Sequence, residues 1–256
     1  MARGTGTTAP TSAGRLRLDL AMVERGLVPS RQKAQALVLA GEVRLKGRRA
    51  ERPDQMVGPQ DELSVTAAPR FVGRGGEKLA GALEAFAVTV TGRVCLDAGA
   101  STGGFTDVLL KAGARMVYAV DVGYGQLDWS LRTDERVVVM DRTNVRHLTE
   151  LPGPAPGLVV ADLSFISLRA VLPALTRLAL PGADLLLLFK PQFEVGRGAV
   201  GKGGVVRDVE VREAALAEFV AWAESEGLSC LGQASSPITG ARGNQESLVW
   251  LRAAGG

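Results

Sequence analysis

Five short apolar runs, each ending in a charged residue, constrain this chain more than any other feature. Residues 94–96 run into Asp97, 116–120 into Asp121, 137–140 into Asp141, 158–161 into Asp162, and 185–189 into Lys190. Continuous aliphatic runs of this length, without polar alternation, are expected of strands buried on both faces, as in a parallel sheet. Helical spacing of apolar residues fills most of the intervals, at 105–112 and 168–180, and a further helix is expected at 211–226. Two late strands, near 228–233 and 247–251, complete seven. The expected fold class is α/β, a doubly wound and largely parallel sheet with its charged strand ends on one edge. One charged strand end is an ordinary turn. Five on one edge are a site.

The first run opens the most informative stretch, Asp97-Ala98-Gly99-Ala100-Ser101-Thr102-Gly103-Gly104-Phe105-Thr106. It reads as a strand, a tight glycine loop at its carboxyl end, and a helix entered at its N-terminus, which is where open α/β sheets bind ligands. The loop lacks the Gly-x-Gly-x-x-Gly spacing of dinucleotide folds and has no Gly-Lys-Ser/Thr for a triphosphate. Asp121, after the second strand, can accept hydrogen bonds from ribose hydroxyls, and Asp141, after the third, one from an adenine amino group. Together these predict S-adenosyl-L-methionine, a phosphate-free cofactor carrying a positive sulfonium. The expected contacts are Asp97, Gly99, Ala100, Ser101, Thr102, Gly103, Gly104, Phe105, Thr106, Asp121, Val122 and Asp141.

Composition narrows the class further. A chain of 256 residues, 46% hydrophobic and 22% charged, suits one sizeable α/β domain with a small companion. No apolar run approaches the length of a bilayer span, and no leader pattern opens the sequence, so a cytoplasmic location is expected. Cys95 and Cys230 lie in apolar strand-like runs and read as buried thiols, with no disulfide framework or zinc site expected. His147 is the one histidine, which argues against a histidine-based metal centre; no metal is expected.

The charge is uneven. Residues 1–70 hold 12 Lys and Arg against 7 Asp and Glu, whereas residues 71–256 hold 18 against 20, so the basic character is N-terminal and favours a polyanionic partner there. Residues 1–14 show no periodicity and read as a disordered tail. From residue 15 to 66 the pattern is helix, helix and β-hairpin, with Ser30 as N-cap of the second helix and Gly41 as its stop. The run from Arg17-Leu18-Asp19 through Ser30-Arg31 to Gly41-Glu42-Val43 resembles the RNA-binding domain first described in a small-subunit ribosomal protein. The resemblance implies contact with phosphates of folded RNA, for which the candidates are Arg17, Arg25, Arg31, Lys33, Arg44, Lys46, Arg48 and Arg49. Residues 67–74 read as a linker, and 75–253 as the main domain.

Lys78 stands in the first turn of the helix expected at 77–87, where the helix dipole disfavours a cation. With Asp162, Lys190 and Glu246 it supplies charged groups beyond those the cofactor needs. A ribose hydroxyl needs a base and a cationic neighbour before it can attack a methyl group, and a lysine drawn out of water beside a second cation surrenders its proton more readily.

Arg70-Phe71-Val72-Gly73-Arg74-Gly75-Gly76-Glu77-Lys78, the Asp97 loop, Asp162-Leu163-Ser164-Phe165-Ile166-Ser167, Lys190-Pro191-Gln192-Phe193-Glu194 and Gly243-Asn244-Gln245-Glu246 together resemble the TlyA family. Those proteins are described both as haemolysins and as rRNA 2′-O-methyltransferases with an FtsJ-like catalytic domain. The resemblance covers residues 17–252. It implies a Rossmann-like class I methyltransferase preceded by a small α+β RNA-binding domain, and a catalytic Lys–Asp–Lys–Glu tetrad at Lys78, Asp162, Lys190 and Glu246. It further implies S-adenosylmethionine as donor, a cytidine ribose of ribosomal RNA as acceptor, and ribosomal subunits as the setting. A membrane-active haemolysin is disfavoured because neither a spanning segment nor an amphipathic basic helix is present. A non-catalytic RNA-binding or assembly factor would be expected to have lost part of the tetrad. Arg17-Leu18-Asp19 superficially matches a pseudouridine synthase motif, but it opens a small helical domain and reads as structural.

Overall fold

The computed structural model describes residues 14–65, 70–240 and 242–255, and the chain divides after Pro69 into two units. The expected tail, apart from Gly14, and residues 67–69 of the expected linker lie outside the described residues.

In the first unit, β1 (Leu16–Arg17) leads directly into α1 (Leu18–Glu24), followed by α2 (Arg31–Ala40). Ser30 caps α2 by accepting a hydrogen bond from the Lys33 amide, and Gly41, at φ 77°, ends it in the left-handed conformation. In place of the expected hairpin are two small sheets: β2 (Val43–Leu45) pairs with both β3 (Arg48–Arg49) and β5 (Leu63–Val65), while β4 (Met56–Val57) pairs with β1. Three of these strands are two residues long, too short to show alternation in sequence. Leu18, Ala21, Met22, Ala34, Val38 and Val43 fill the core between helices and sheet.

The second unit carries the seven-stranded sheet. α3 (Gly75–Phe86) precedes β6 (Val94–Ala98), α4 (Gly104–Lys111), β7 (Met116–Val120), the single turn α5 (Trp129–Arg132), β8 (Val137–Met140) and β9 (Leu158–Ala161). Then follow α6 (Leu168–Leu178), β10 (Asp184–Phe189), the single turn α7 (Pro191–Glu194), α8 (Val209–Ser225), β11 (Ser229–Ser235) and β12 (Ser247–Arg252). Strand order is β11-β12-β10-β9-β6-β7-β8, parallel except that β12 runs antiparallel to both its neighbours. The aliphatic runs are continuous because both faces are covered. Leu96, Ala98, Val159 and Leu187 pack with residues of α6 and α8 on one side. Cys95, Val117, Val160 and Leu188 pack with α3 and α4 on the other.

Chain progression turns at β6. From β6 it moves outward through β7 to β8, then returns to place β9 on the opposite flank of β6. That reversal is a topological switch point, where loops leave adjacent strands in opposite directions and open a crevice. Part of the expected linker belongs to this unit: Phe71 is buried in its core, and the Val72 amide donates to Asp107 at 3.0 Å.

Candidate active site

The crevice is floored by the loop after β6. Gly99 sits at φ 88°, and a Cβ there would come within 2.6 Å of the Asp162 carbonyl oxygen, so only glycine lets the two loops meet. At Gly104 a Cβ would lie 2.9 Å from the Gly76 amide nitrogen; the glycine brings the start of α4 against the start of α3, and with it Lys78 to the crevice.

Asp97 is fully buried beneath this loop. Its Oδ2 accepts a 2.6 Å hydrogen bond from the Thr106 hydroxyl, while Oδ1 has no hydrogen-bond partner. Burial pushes its carboxyl up to about 7, with the nearby Asp162 adding to the rise and Thr106 opposing it. Asp121 accepts from the Ser101 amide at 2.8 Å and from the Gly123 amide at 2.6 Å, bracing the loops after β6 and β7 against each other.

Asp141 departs from expectation. Its Oδ2 pairs with Arg132 at 2.7 Å, which holds the carboxyl below its usual range, and also accepts from the Gly125 amide. It does not line the adjoining cavity of about 450 Å³. Asp121, Val122, Gln126, Thr143, Asn144 and Val145 do, together with Gly99, Ser101 and the loop after β9. Thr143, Asn144 and Gln126 carried no sequence signal, being ordinary polar loop residues.

A second cavity, of about 580 Å³, shares Gly99, Ser101, Asp162, Ser164 and Phe165 with the first. Here the four charged residues meet. Lys78 Nζ donates to Glu246 Oε2 at 2.6 Å and lies 3.8 Å from Asp162 Oδ2; Lys190 Nζ lies 2.6 Å from Asp162 Oδ1. Asp162 thus bridges two lysines, one on each oxygen. Lys78, Lys190 and Glu246 are buried, at 8%, 7% and 2% exposure, so these pairs are shielded from solvent screening in a way surface pairs are not. The two carboxylates also offset the cost of a cation in the first turn of α3.

Two further residues complete the rim. The Ser164 hydroxyl accepts a hydrogen bond from Lys190 Nζ at 2.9 Å. Phe165 is 85% exposed at φ 65°, and its ring lies 5.4 Å from that of Phe193. Left-handed backbone is costly for a large aromatic residue, and such strained positions cluster at functional sites.

The N-terminal basic residues separate into two groups. Arg17 and Arg31 pair with Asp19, at 3.1 and 2.9 Å, and with Gln35 they surround a carboxylate with no exposure, holding it well below the usual carboxylate range. Arg25 donates to the carbonyls of Asp61 and Gly58. These three hold the fold together. Lys33, Arg44, Lys46, Arg48 and Arg49 are exposed; Lys46 also pairs with Asp61, and Arg44 donates to the Gly47 carbonyl. Arg15 and Arg52, which sequence reasoning missed, line one groove with Lys46, Arg48 and Arg49.

Among the described residues no helix is long and apolar enough to cross a membrane, and no group of three His, Cys, Asp or Glu residues could hold a metal ion. Cys95 is buried with its thiol pushed up to about 12 by that burial, and Cys230 is half-buried; neither forms a disulfide.

Residues 71–253 match the FtsJ-like methyltransferase family and residues 16–63 the S4 domain. The chain is 54% identical to the 16S/23S rRNA (cytidine-2′-O)-methyltransferase TlyA of Mycobacterium tuberculosis over 243 residues, 94% of this chain and 91% of that one. It is 39% identical to Hemolysin A of Brachyspira hyodysenteriae, over 91% of this chain and 98% of that protein. A solved Streptococcus thermophilus structure described as a hemolysin is 40% identical and superposes with a TM-score of 0.73, covering 94% of this chain and 90% of the other. The chain belongs to the TlyA family, FtsJ-like methyltransferases with an N-terminal S4 domain.

Proposed function

We propose that this protein methylates the 2′-hydroxyl of a cytidine in ribosomal RNA, within ribosomal subunits, using S-adenosylmethionine as donor and Lys78, Asp162, Lys190 and Glu246 as its catalytic residues. One observation carries the reading: an alternating chain of carboxylates and lysine side chains, Glu246–Lys78–Asp162–Lys190, lies in a cavity continuous with the crevice at the switch point. The residues of that crevice fit the cofactor. The backbone at Gly99 is open to close approach, and Asp121 is fixed at the carboxyl end of β7 where it lines the crevice, while Asp97 lies beneath the loop and supports it from below. When bound, S-adenosylmethionine supplies an electrophilic methyl carbon on a sulfonium.

Lys190 takes the proton of the ribose hydroxyl at Nζ as the ribose oxygen attacks. The bound cofactor would supply its methyl carbon to that oxygen and leave as the neutral thioether. Asp162 orients both lysines, Lys78 places positive charge beside the developing alkoxide, and Glu246 anchors Lys78. No covalent intermediate is needed, so the work is positioning. Phe165 offers a face on which the acceptor base can stack once it leaves its own helix. The groove of Arg15, Lys46, Arg48, Arg49 and Arg52 carries phosphate contacts. The support for cytidine and for ribosomal RNA is the activity for which the relative at 54% identity is named.

Incubating ribosomal subunits with the protein and labelled cofactor, then mapping 2′-O-methylation, tests this directly. Lys190→Ala should abolish transfer while leaving cofactor affinity intact. Undiminished transfer by that variant would refute the assigned chemistry.

A further inference from the structure

We propose that Ser164 is a positioning residue for methyl transfer: its hydroxyl, with Asp162, fixes the rotation of the Lys190 amine about Cε–Nζ so that the third direction at nitrogen is reserved for the acceptor's proton. The inference rests on the catalytic reading of Lys190 given above.

The Lys190 nitrogen is tetrahedral. Beyond its bond to Cε, the nitrogen has three positions. Asp162 Oδ1 occupies one at 2.6 Å and Ser164 Oγ another at 2.9 Å. The Lys190 side chain is only 9% exposed, so water competes poorly for those positions. A carboxylate can only accept, and the serine oxygen accepts from Lys190 Nζ, leaving its rotatable hydroxyl hydrogen for another acceptor. A neutral amine has two N–H bonds and one lone pair. Satisfying both acceptors uses both N–H bonds and leaves the lone pair in the third position. The proton of the acceptor hydroxyl then arrives there without breaking either hydrogen bond, and the resulting ammonium keeps the same geometry.

Asp162 alone cannot do this. With a single fixed acceptor the amine turns about Cε–Nζ, and the lone pair spends part of its time in the direction Ser164 now fills. The placement of Ser164 suits the task in two further ways. It follows Asp162 by two residues and precedes Phe165, whose left-handed backbone turns the loop. It also lines both cavities, at the boundary where donor methyl and acceptor hydroxyl must meet.

The test compares Ser164→Ala, Ser164→Thr and Lys190→Ala in single-turnover transfer to ribosomal subunits, with RNA and cofactor affinities measured separately. Ser164 is exposed, so the fold should tolerate either replacement. Loss of one hydrogen bond to a group that becomes charged predicts a fall in the turnover rate of about 10- to 100-fold for Ser164→Ala. Both affinities should stay within about twofold, and the hydroxyl of Ser164→Thr should restore the rate to within a few-fold of the parent. A Ser164→Ala enzyme with undiminished turnover, beside an inactive Lys190→Ala, would overturn the role of Ser164 and leave the catalytic reading standing. A defect confined to RNA or cofactor affinity would overturn it in favour of a direct substrate contact. An active Lys190→Ala would remove the foundation instead.

Discussion

Asp97 should make the methyltransferase domain less stable as pH rises, and Asp97→Asn should remove that dependence. The carboxyl titrates at about 7 in the folded protein, against an ordinary value of 3.8, because it is fully buried with one oxygen unpartnered. Folding therefore favours its protonated form. Below about pH 4 the folded and unfolded chains both carry the proton and the group contributes nothing. Between about 4 and 7 the unfolded chain releases the proton first, so stability falls; above 7 the full penalty applies. At about 1.4 kcal/mol per pH unit, the gap between the two values corresponds to about 4 kcal/mol. Asparagine keeps an acceptor for the Thr106 hydroxyl and cannot ionise. All three tryptophans, Trp129, Trp222 and Trp250, lie in this domain, so urea unfolding followed by tryptophan fluorescence reads it alone. The unfolding free energy of Asp97→Asn minus that of the parent should grow by up to about 4 kcal/mol between pH 4 and 8, with most of the growth below 7. Near pH 8 this corresponds to about 10 °C in Tm for a domain of this size. Other titrating groups cancel in the subtraction. A difference that stays flat with pH would refute the claim that burial governs this carboxyl.

Glu246→Ala strands the Lys78 ammonium in a nearly dry site; it should cost about 3–5 kcal/mol of domain stability, read by thermal unfolding, and abolish transfer. Phe165→Ala should lower kcat/KM for ribosomal subunits by about 5- to 100-fold, the value of one base–aromatic stack, while cofactor affinity measured by calorimetry stays unchanged. Asp19→Ala leaves Arg17, Arg31 and Gln35 without their shared acceptor and should unfold the S4 domain at lower denaturant, as seen by circular dichroism, whereas Lys33→Ala should leave that midpoint in place.

The sheet was legible because strands buried on both faces write continuous aliphatic runs, and because a charge at each carboxyl end marks the edge. Lys78 stood out for a physical reason, a cation where the helix dipole opposes one, and the structure supplies its two compensating carboxylates. Other features were out of reach. Asp141 ends its strand as Asp121 does, yet Arg132, nine residues earlier, claims it, and no local pattern distinguishes the two. Arg17, Arg25 and Arg31 look like any basic residues until Asp19 and the carbonyls at 58–61 are seen to occupy them. β1, β3 and β4, at two residues each, are too short for alternation to register. Ser164 acts through a hydrogen bond to a residue 26 positions away, which only the packing of β9 beside β10 creates.

The one antiparallel strand of this sheet, β12, second from its outer strand, brings Glu246 to the same edge as the parallel strands' last residues. Through it Glu246 closes on Lys78, 168 positions earlier. During synthesis, the crevice and three of the four charged groups emerge well before the strand that completes them. Of the four charged residues, the carboxylate that anchors Lys78 is therefore the last to be made.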